Sequence, residues 1–171
     1  MSFMELAKER FSVKKFTDKP VEKEKLDQIL EAGNVAPTAA NKQPQRIYVI
    51  QSEEGLKKIN ELSACIYGAK TVLMFAYDSA EEWKNPLQEG IHAGDQDVSI
   101  VATHMMLEAW DLGVGSCWVN FFANDDVAKA FGLPETEKVV LLMPLGYAPE
   151  GTKPLPTHTA CKPIDATVKM I

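Results

Sequence analysis

The 171-residue sequence predicts one α+β domain with a central, mainly antiparallel sheet flanked by helices. Short segments rich in β-branched and aromatic residues recur at four places. Helical periodicities separate them in mixed order, without the regular strand-helix alternation of a parallel sheet. No repeat, low-complexity tract or Gly/Ser linker divides the chain, so the domain is expected over residues 1–171.

From the N-terminus, a helix is expected over Ser2 to about Arg10. A second starts after Pro20, with Leu26, Ile29 and Leu30 at i, i+3, i+4, and ends near Gly33 and Asn34 as a C-cap. Residues 36–44 (APTAANKQP) read as a loop between two prolines, too poor in apolar surface to be core. Strands are predicted at Arg46–Gln51, Thr71–Tyr77, Gly115–Phe121 and Lys138–Pro144. Between them, helices fit Glu53–Leu62, Asp125–Phe131 after an Asn124 N-cap, and a long span from about Gln88 to Leu112 stopped by Gly113. The last segment, 149–171, carries four prolines and no credible helix. A structureless stretch of that length inside a compact domain points to function or to a reach toward another subunit, so it is expected to be an extended arm.

Charge and composition exclude whole classes of function. Hydrophobic residues at 46% and charged residues at 25% are ordinary for a globular chain. The net charge of −6 disfavours non-specific attraction to nucleic acid or anionic membranes, and any anionic ligand needs a local cluster of cations. No apolar stretch is long enough to span a bilayer. Three widely spaced cysteines, Cys65, Cys117 and Cys161, do not make a disulfide framework and fit a reducing cytoplasm; the charged start MSFMELAKER is not a signal peptide.

Three segments carry candidate chemistry. In Arg10-Phe11-Ser12-Val13-Lys14, two cations four residues apart flank a hydroxyl where a helix gives way to extended chain, a pattern suited to gripping a phosphate; a solvated helix end has the same composition. In the 37–44 loop, Asn41 and Gln43 offer paired donors and acceptors to a planar heterocycle, although an Asx-capped turn would use the same residues. The third, Gly113-Val114-Gly115-Ser116-Cys117-Trp118, has dinucleotide-loop glycines in the wrong context: they follow a helix and precede a strand. A resident Rossmann-bound NAD is thereby set aside, and no P-loop, zinc spacing or serine-hydrolase elbow is present. Cys117, within an apolar strand, reads as a buried inert thiol before it reads as a nucleophile.

Taken in order, RFSVKKF, APTAANKQP, GVGSCWVNFF and FGLPETEKVVLLMPLGYAPE followed by CKPIDATV resemble the signatures of the nitroreductase family of FMN-dependent oxidoreductases across nearly the whole chain. The resemblance implies a nitroreductase-like fold, with a domain-swapped homodimer whose FMN sites lie at the subunit interface and whose C-terminal arm, 149–171, embraces the partner. Carried over by position, Arg10, Phe11, Ser12 and Lys14 would contact the flavin from one subunit. Pro37, Thr38, Ala39, Asn41 and Gln43 would come from the other, while Cys117, Trp118 and Lys162 complete the cofactor-binding set. No catalytic residue or metal is implied, because the flavin carries the chemistry. Lys14 would act electrostatically, since negative charge gathers around N1 and O2 as N5 accepts hydride. NAD(P)H would be a transient reductant and electron-poor nitroaromatics or quinones the acceptors, in ping-pong turnover. Cover over the pocket is expected from Ile66–Tyr67 and Trp83–Gly94, around Trp83, Asn85 and Pro86.

The chain departs from the family pattern at Phe11, where a second arginine is frequent, at Lys14, where an arginine is usual, and at Cys161-Lys162, where a basic pair is usual. Those losses leave open a flavin-binding or regulatory protein without turnover. A divergent flavin reaction on the same frame, such as dehalogenation, ring dehydrogenation or flavin fragmentation, is the other alternative.

Overall fold

The computed structural model of the chain describes residues 2–171. Its sheet has four strands in the order β1-β2-β4-β3, every neighbouring pair antiparallel: β1 is Gln45–Ile50, β2 Thr71–Asp78, β3 Gly115–Ser116 and β4 Glu137–Gly146. With the helices around it, this is the predicted α+β class.

The central strand explains the packing. β2 is buried from Thr71 to Tyr77, because helices cover both faces of the sheet, and so TVLMFAY reads as an unbroken apolar run instead of an alternation. Leu73, Phe75 and Tyr77 meet Leu26 and Ile29 of α2 (Lys23–Asn34) and Val98, Val101 and Met105 of α4 (Gly94–Asp111). Val72, Met74 and Ala76 meet Phe16, Ile59 of α3 (Glu53–Leu62), Ile66 and Val127 of α5 (Asn124–Phe131). Each buried Val, Leu, Ile, Phe or Met side chain among these contributes about 1.5–3 kcal/mol relative to exposure, so one strand ties two helical layers together. The pairing slips at a bulge: Phe75 opposes Leu141 and Ala76 opposes Val139, leaving Val140 as the extra residue, and Val140 and Leu141 consequently pack into the same layer.

Several elements differ from expectation for local physical reasons. The long helix begins at Gly94 and not near Gln88. Residues 83–93 instead fold back on themselves, with Asn85 N–H donating to the Ile91 carbonyl at 2.9 Å and Ala93 N–H to that of Trp83 at 3.0 Å, and Ile91 is left exposed. The Glu82 carboxylate accepts from the first helical amide, Gly94 N–H, at 3.1 Å. The predicted strand 115–121 shrinks to Gly115–Ser116 plus a single bridge from Val119 to Leu142. Opposite the gap stands Pro144 of β4, which accepts from Cys117 N–H at 3.3 Å but has no N–H to return. Asn124 is the first residue of α5 and not its N-cap; its side-chain amide donates to the Val139 carbonyl at 2.7 Å.

Gly33 lies within α2, which runs to Asn34, and is a packing residue in place of the expected cap: a β-carbon there would come 2.6 Å from Met105 Sδ. Gly113, at φ +74°, does end the α4 turn as predicted. The arm contains a short 3-10 turn, Pro156–Thr159, and one helical turn, α6 (Ile164–Thr167), correcting the expectation of none; each begins at or just after a proline, where a missing N–H costs nothing. At the other end Ser2 and Glu5 form a reciprocal cap on α1 (Phe3–Glu9).

Two measurements test this packing. Gly115→Ala should lower unfolding free energy by about 1–3 kcal/mol in urea, because its β-carbon would sit 2.6 Å from Val13 Cγ2 and 3.3 Å from the Gly146 carbonyl oxygen, a stiff side chain and backbone. Gly33→Ala should cost less, since the Met105 thioether can rotate away and alanine recovers about 1 kcal/mol of helix propensity. The second concerns alkali. Tyr48 and Tyr77 are pushed up to about 12, mainly by burial, Tyr67 to about 12 by its hydrogen bond with Cys65 and by burial, and Tyr147 upward by burial. An unfolded chain ionises these phenols near the ordinary value of 10. Their contribution to stability is therefore full below pH about 10 and is lost as pH rises toward about 12, which a series of urea midpoints with phenolate absorbance as a second readout will follow.

Candidate functional site

After α1 the chain runs extended from Arg10 to Phe16. Val13 and Phe16 turn into the core, while Ser12 and Lys14 face solvent. Ser12 bridges in parallel to Ser116, Val13 N–H donates to the Ser116 carbonyl at 2.9 Å, and Phe16 N–H donates to the Tyr67 carbonyl at 3.3 Å. These bonds hold three separate stretches, 12–16, 65–67 and 115–117, side by side. Among the described residues, Arg10 and Lys14 make no ion pair.

Cys117 is buried against this segment, and its thiol is pushed up by burial, opposed by the Lys14 charge, a hydrogen bond with Ser12 and the Arg10 charge. The sulfur is thus held as a protonated wall, which agrees with the inert reading of its sequence context. The next residue, Trp118, donates its indole N–H to Asn120 Oδ1 at 2.6 Å, and Asn120 Nδ2 donates to the Val140 carbonyl at 3.0 Å. Ser63, buried, accepts from Cys65 N–H at 3.3 Å and donates to the Phe121 carbonyl at 3.1 Å, closing the far side. Arg10, Ser12, Lys14 and Cys117 therefore share one wall. Phe11 points elsewhere: its ring packs edge-on against Trp110 at 5.0 Å and His158 at 6.2 Å.

The loop with Pro37, Thr38, Ala39, Asn41 and Gln43 is placed at the opposite end of α4. Ala39 N–H donates to Asp97 Oδ1 at 2.8 Å, and Gln43 N–H donates to Thr38 Oγ1 at 3.0 Å. Ala40, Asn41 and Gln43 all adopt left-handed backbone, φ 50°, 53° and 50°, which costs a non-glycine residue roughly 1 kcal/mol or more each. The side chains of Asn41 and Gln43 are exposed. From Asp97 to Trp110 is thirteen residues of one helix, roughly 20 Å at 1.5 Å per residue, so within one chain this loop and the Arg10 wall stay apart.

The expected cover divides in the same way. Tyr67 lies by the Arg10 wall, whereas the fold-back 83–93 sits at the N-terminal end of α4, where Glu82 contacts His92 at 2.8 Å. Lys162 is exposed in the arm, which touches the body through His158 Nε2–H donating to the Lys8 carbonyl at 2.9 Å. Sequence reasoning missed Ser63, Asn120 and Asp97, because their partners Phe121, Val140 and Ala39 lie tens of residues away.

Comparison with known proteins agrees with this geometry. The family model described as "Nitroreductase family" matches residues 7–67 and 63–147. A Methanothermobacter thermautotrophicus protein provisionally named NADH dehydrogenase/NAD(P)H nitroreductase is 32% identical over 164 residues, covering 91% of this chain and 83% of its own. A nitroreductase family protein of Clostridium difficile 630 superposes with a TM-score of 0.91 at 36% identity, over 99% of this chain and 98% of the other. A structure described as an FMN-dependent nitroreductase, from Clostridium difficile R20291, gives 0.78 at 25% identity, over 98% of both chains. With its α+β sheet, its cationic Arg10–Lys14 segment and these matches along most of its length, the chain belongs to the nitroreductase family.

Proposed function

We propose that the protein is an FMN-dependent NAD(P)H oxidoreductase that works as a homodimer on nitroaromatics, quinones or similar electron-poor planar acceptors. The observation that carries this reading is the pair of unpaired cations, Arg10 and Lys14, flanking the exposed Ser12 on a segment clipped to the Cys117 wall. In a chain of net charge −6, those cations fit a phosphate and little else of this family's chemistry. When bound, FMN supplies the hydride chemistry at ring N5, taken from NAD(P)H and passed to the acceptor in ping-pong fashion.

The chain's own residues have simpler tasks. Arg10 and Ser12 hold the phosphate by charge-assisted hydrogen bonds, and Lys14 places positive charge where the reduced ring accumulates negative charge. Cys117 excludes water from one side of the site, while the Trp118 ring packs with the α2–α4 cluster on the other face of the sheet and would meet a cofactor through its backbone. Pro37, Thr38, Ala39, Asn41 and Gln43 are contributed by the second subunit, a reading supported by the roughly 20 Å of helix between that loop and the Arg10 wall in a single chain.

The dimer is further supported by apolar surface that one chain leaves open. Ile164, Val168 and Met170 of the arm are exposed, as are Phe3 and Val35 on the rim of a groove of about 680 Å3 between α1, α2 and α4. Lys162 travels with the arm and would reach the partner's cofactor from there. Among the described residues no helix is long and apolar enough to cross a membrane, and the three free cysteines accord with a reducing cytoplasm.

Three experiments test the proposal. Purified protein should be yellow, or become so with added FMN, and should bleach under anaerobic NADH or NADPH; a protein colourless with added FMN overturns it. Arg10→Ala should weaken FMN retention by about 1.5–3 kcal/mol, measured by fluorescence titration, and unchanged retention removes Arg10 from the site. Deleting 149–171 should convert a dimer into a monomer by light scattering and release the flavin with it.

A further inference from the structure

We propose that Asp97 is the positioning residue that presents the 38–43 loop to the flavin. The inference rests on the FMN reading above but concerns a residue outside the expected cofactor contacts. Asp97 lies in the first turns of α4 and is 2% exposed, an unusual place for a carboxylate. One oxygen, Oδ1, accepts the Ala39 N–H at 2.8 Å, and the other, Oδ2, is buried with no hydrogen-bond partner in this chain.

A buried acidic group half-used in this way costs stability that an alanine or leucine would not. What it gains is a fixed point. Ala39 is the last residue before three left-handed non-glycine positions, Ala40, Asn41 and Gln43, and Thr38 on its other side accepts from Gln43 N–H at 3.0 Å. A loop with that much backbone strain keeps one conformation only when its ends are pinned. Thr38 Oγ1 ties the loop to itself, whereas Asp97 ties it to the helix. With Asp97 in place, the exposed amides of Asn41 and Gln43 are aimed before any ligand arrives, and the ordering cost of binding is already met.

The test compares Asp97→Ala and Asp97→Asn with the native protein in two assays: FMN titration of the apoprotein, and tryptic cleavage at the exposed Lys42 without FMN. The asparagine keeps an acceptor for Ala39 N–H. Asp97→Ala is expected to raise the FMN dissociation constant tenfold or more and to accelerate cleavage at Lys42, with Asp97→Asn within about threefold of native in both. Alanine within threefold of native, or asparagine as impaired as alanine, overturns the proposal. If Asp97→Ala gives no cooperative melt, Asp97→Ser, which is too short to reach Ala39, takes its place under the same criteria. Should no form bind FMN, native protein included, the functional reading fails, and cleavage at Lys42 alone decides whether Asp97 pins the loop.

Discussion

The Val13 amide donates to the Ser116 carbonyl, and most of the Arg10 wall is hung from that contact. It fixes the pleat of the extended segment, so that Val13 enters the core and Ser12 and Lys14 are turned out on either side of it. It also requires Gly115, because any side chain there would drive Val13 off the sheet edge. With this joint comes the approach of Lys14 and Ser12 to Cys117.

Charge is distributed with the same economy. Lys19 with Glu22 and Lys23 with Asp27 neutralise one another on the surface, while Arg46 faces three carboxylates, Asp78, Glu81 and the buried Glu137. The two exposed lysine pairs add little stability and cancel locally, whereas the Arg46 group leaves carboxylates in excess. Among the described residues Arg10 and Lys14 stand outside these ion pairs, and their positive field reaches about a Debye length, about 8 Å at physiological salt.

Much of the fold was legible from the chain. Leu26 and Ile29 at helical spacing marked the buried face of α2, the β-branched runs marked the strands, and Gly113 marked the end of α4. What the pattern could not disclose depends on partners distant in sequence. The periodicity through Ile91 extends the helix only until Glu82 and the fold-back 83–93 claim those residues. Gly33 looks like a cap until Met105 is seen across it, and GSCWVNF looks like a strand until Pro144 is found opposite. The proximity of Arg10, Ser12 and Lys14 was legible in the chain because they are sequence neighbours. Asp97 was not, since an acidic residue near a helix start is commonplace and its partner, Ala39, is 58 residues away.

The bulge in β4 has a reach beyond the sheet. Val140, the residue without a cross-strand partner, offers its carbonyl to Asn120, and Asn120 in turn receives the indole of Trp118. The plane of that indole is therefore set by an insertion in the middle of the core. A deletion that restored ideal pairing in β4 would tidy the sheet and leave Trp118 free to turn. The orientation of a half-buried indole beside β4 is thus inherited from an irregularity of the core.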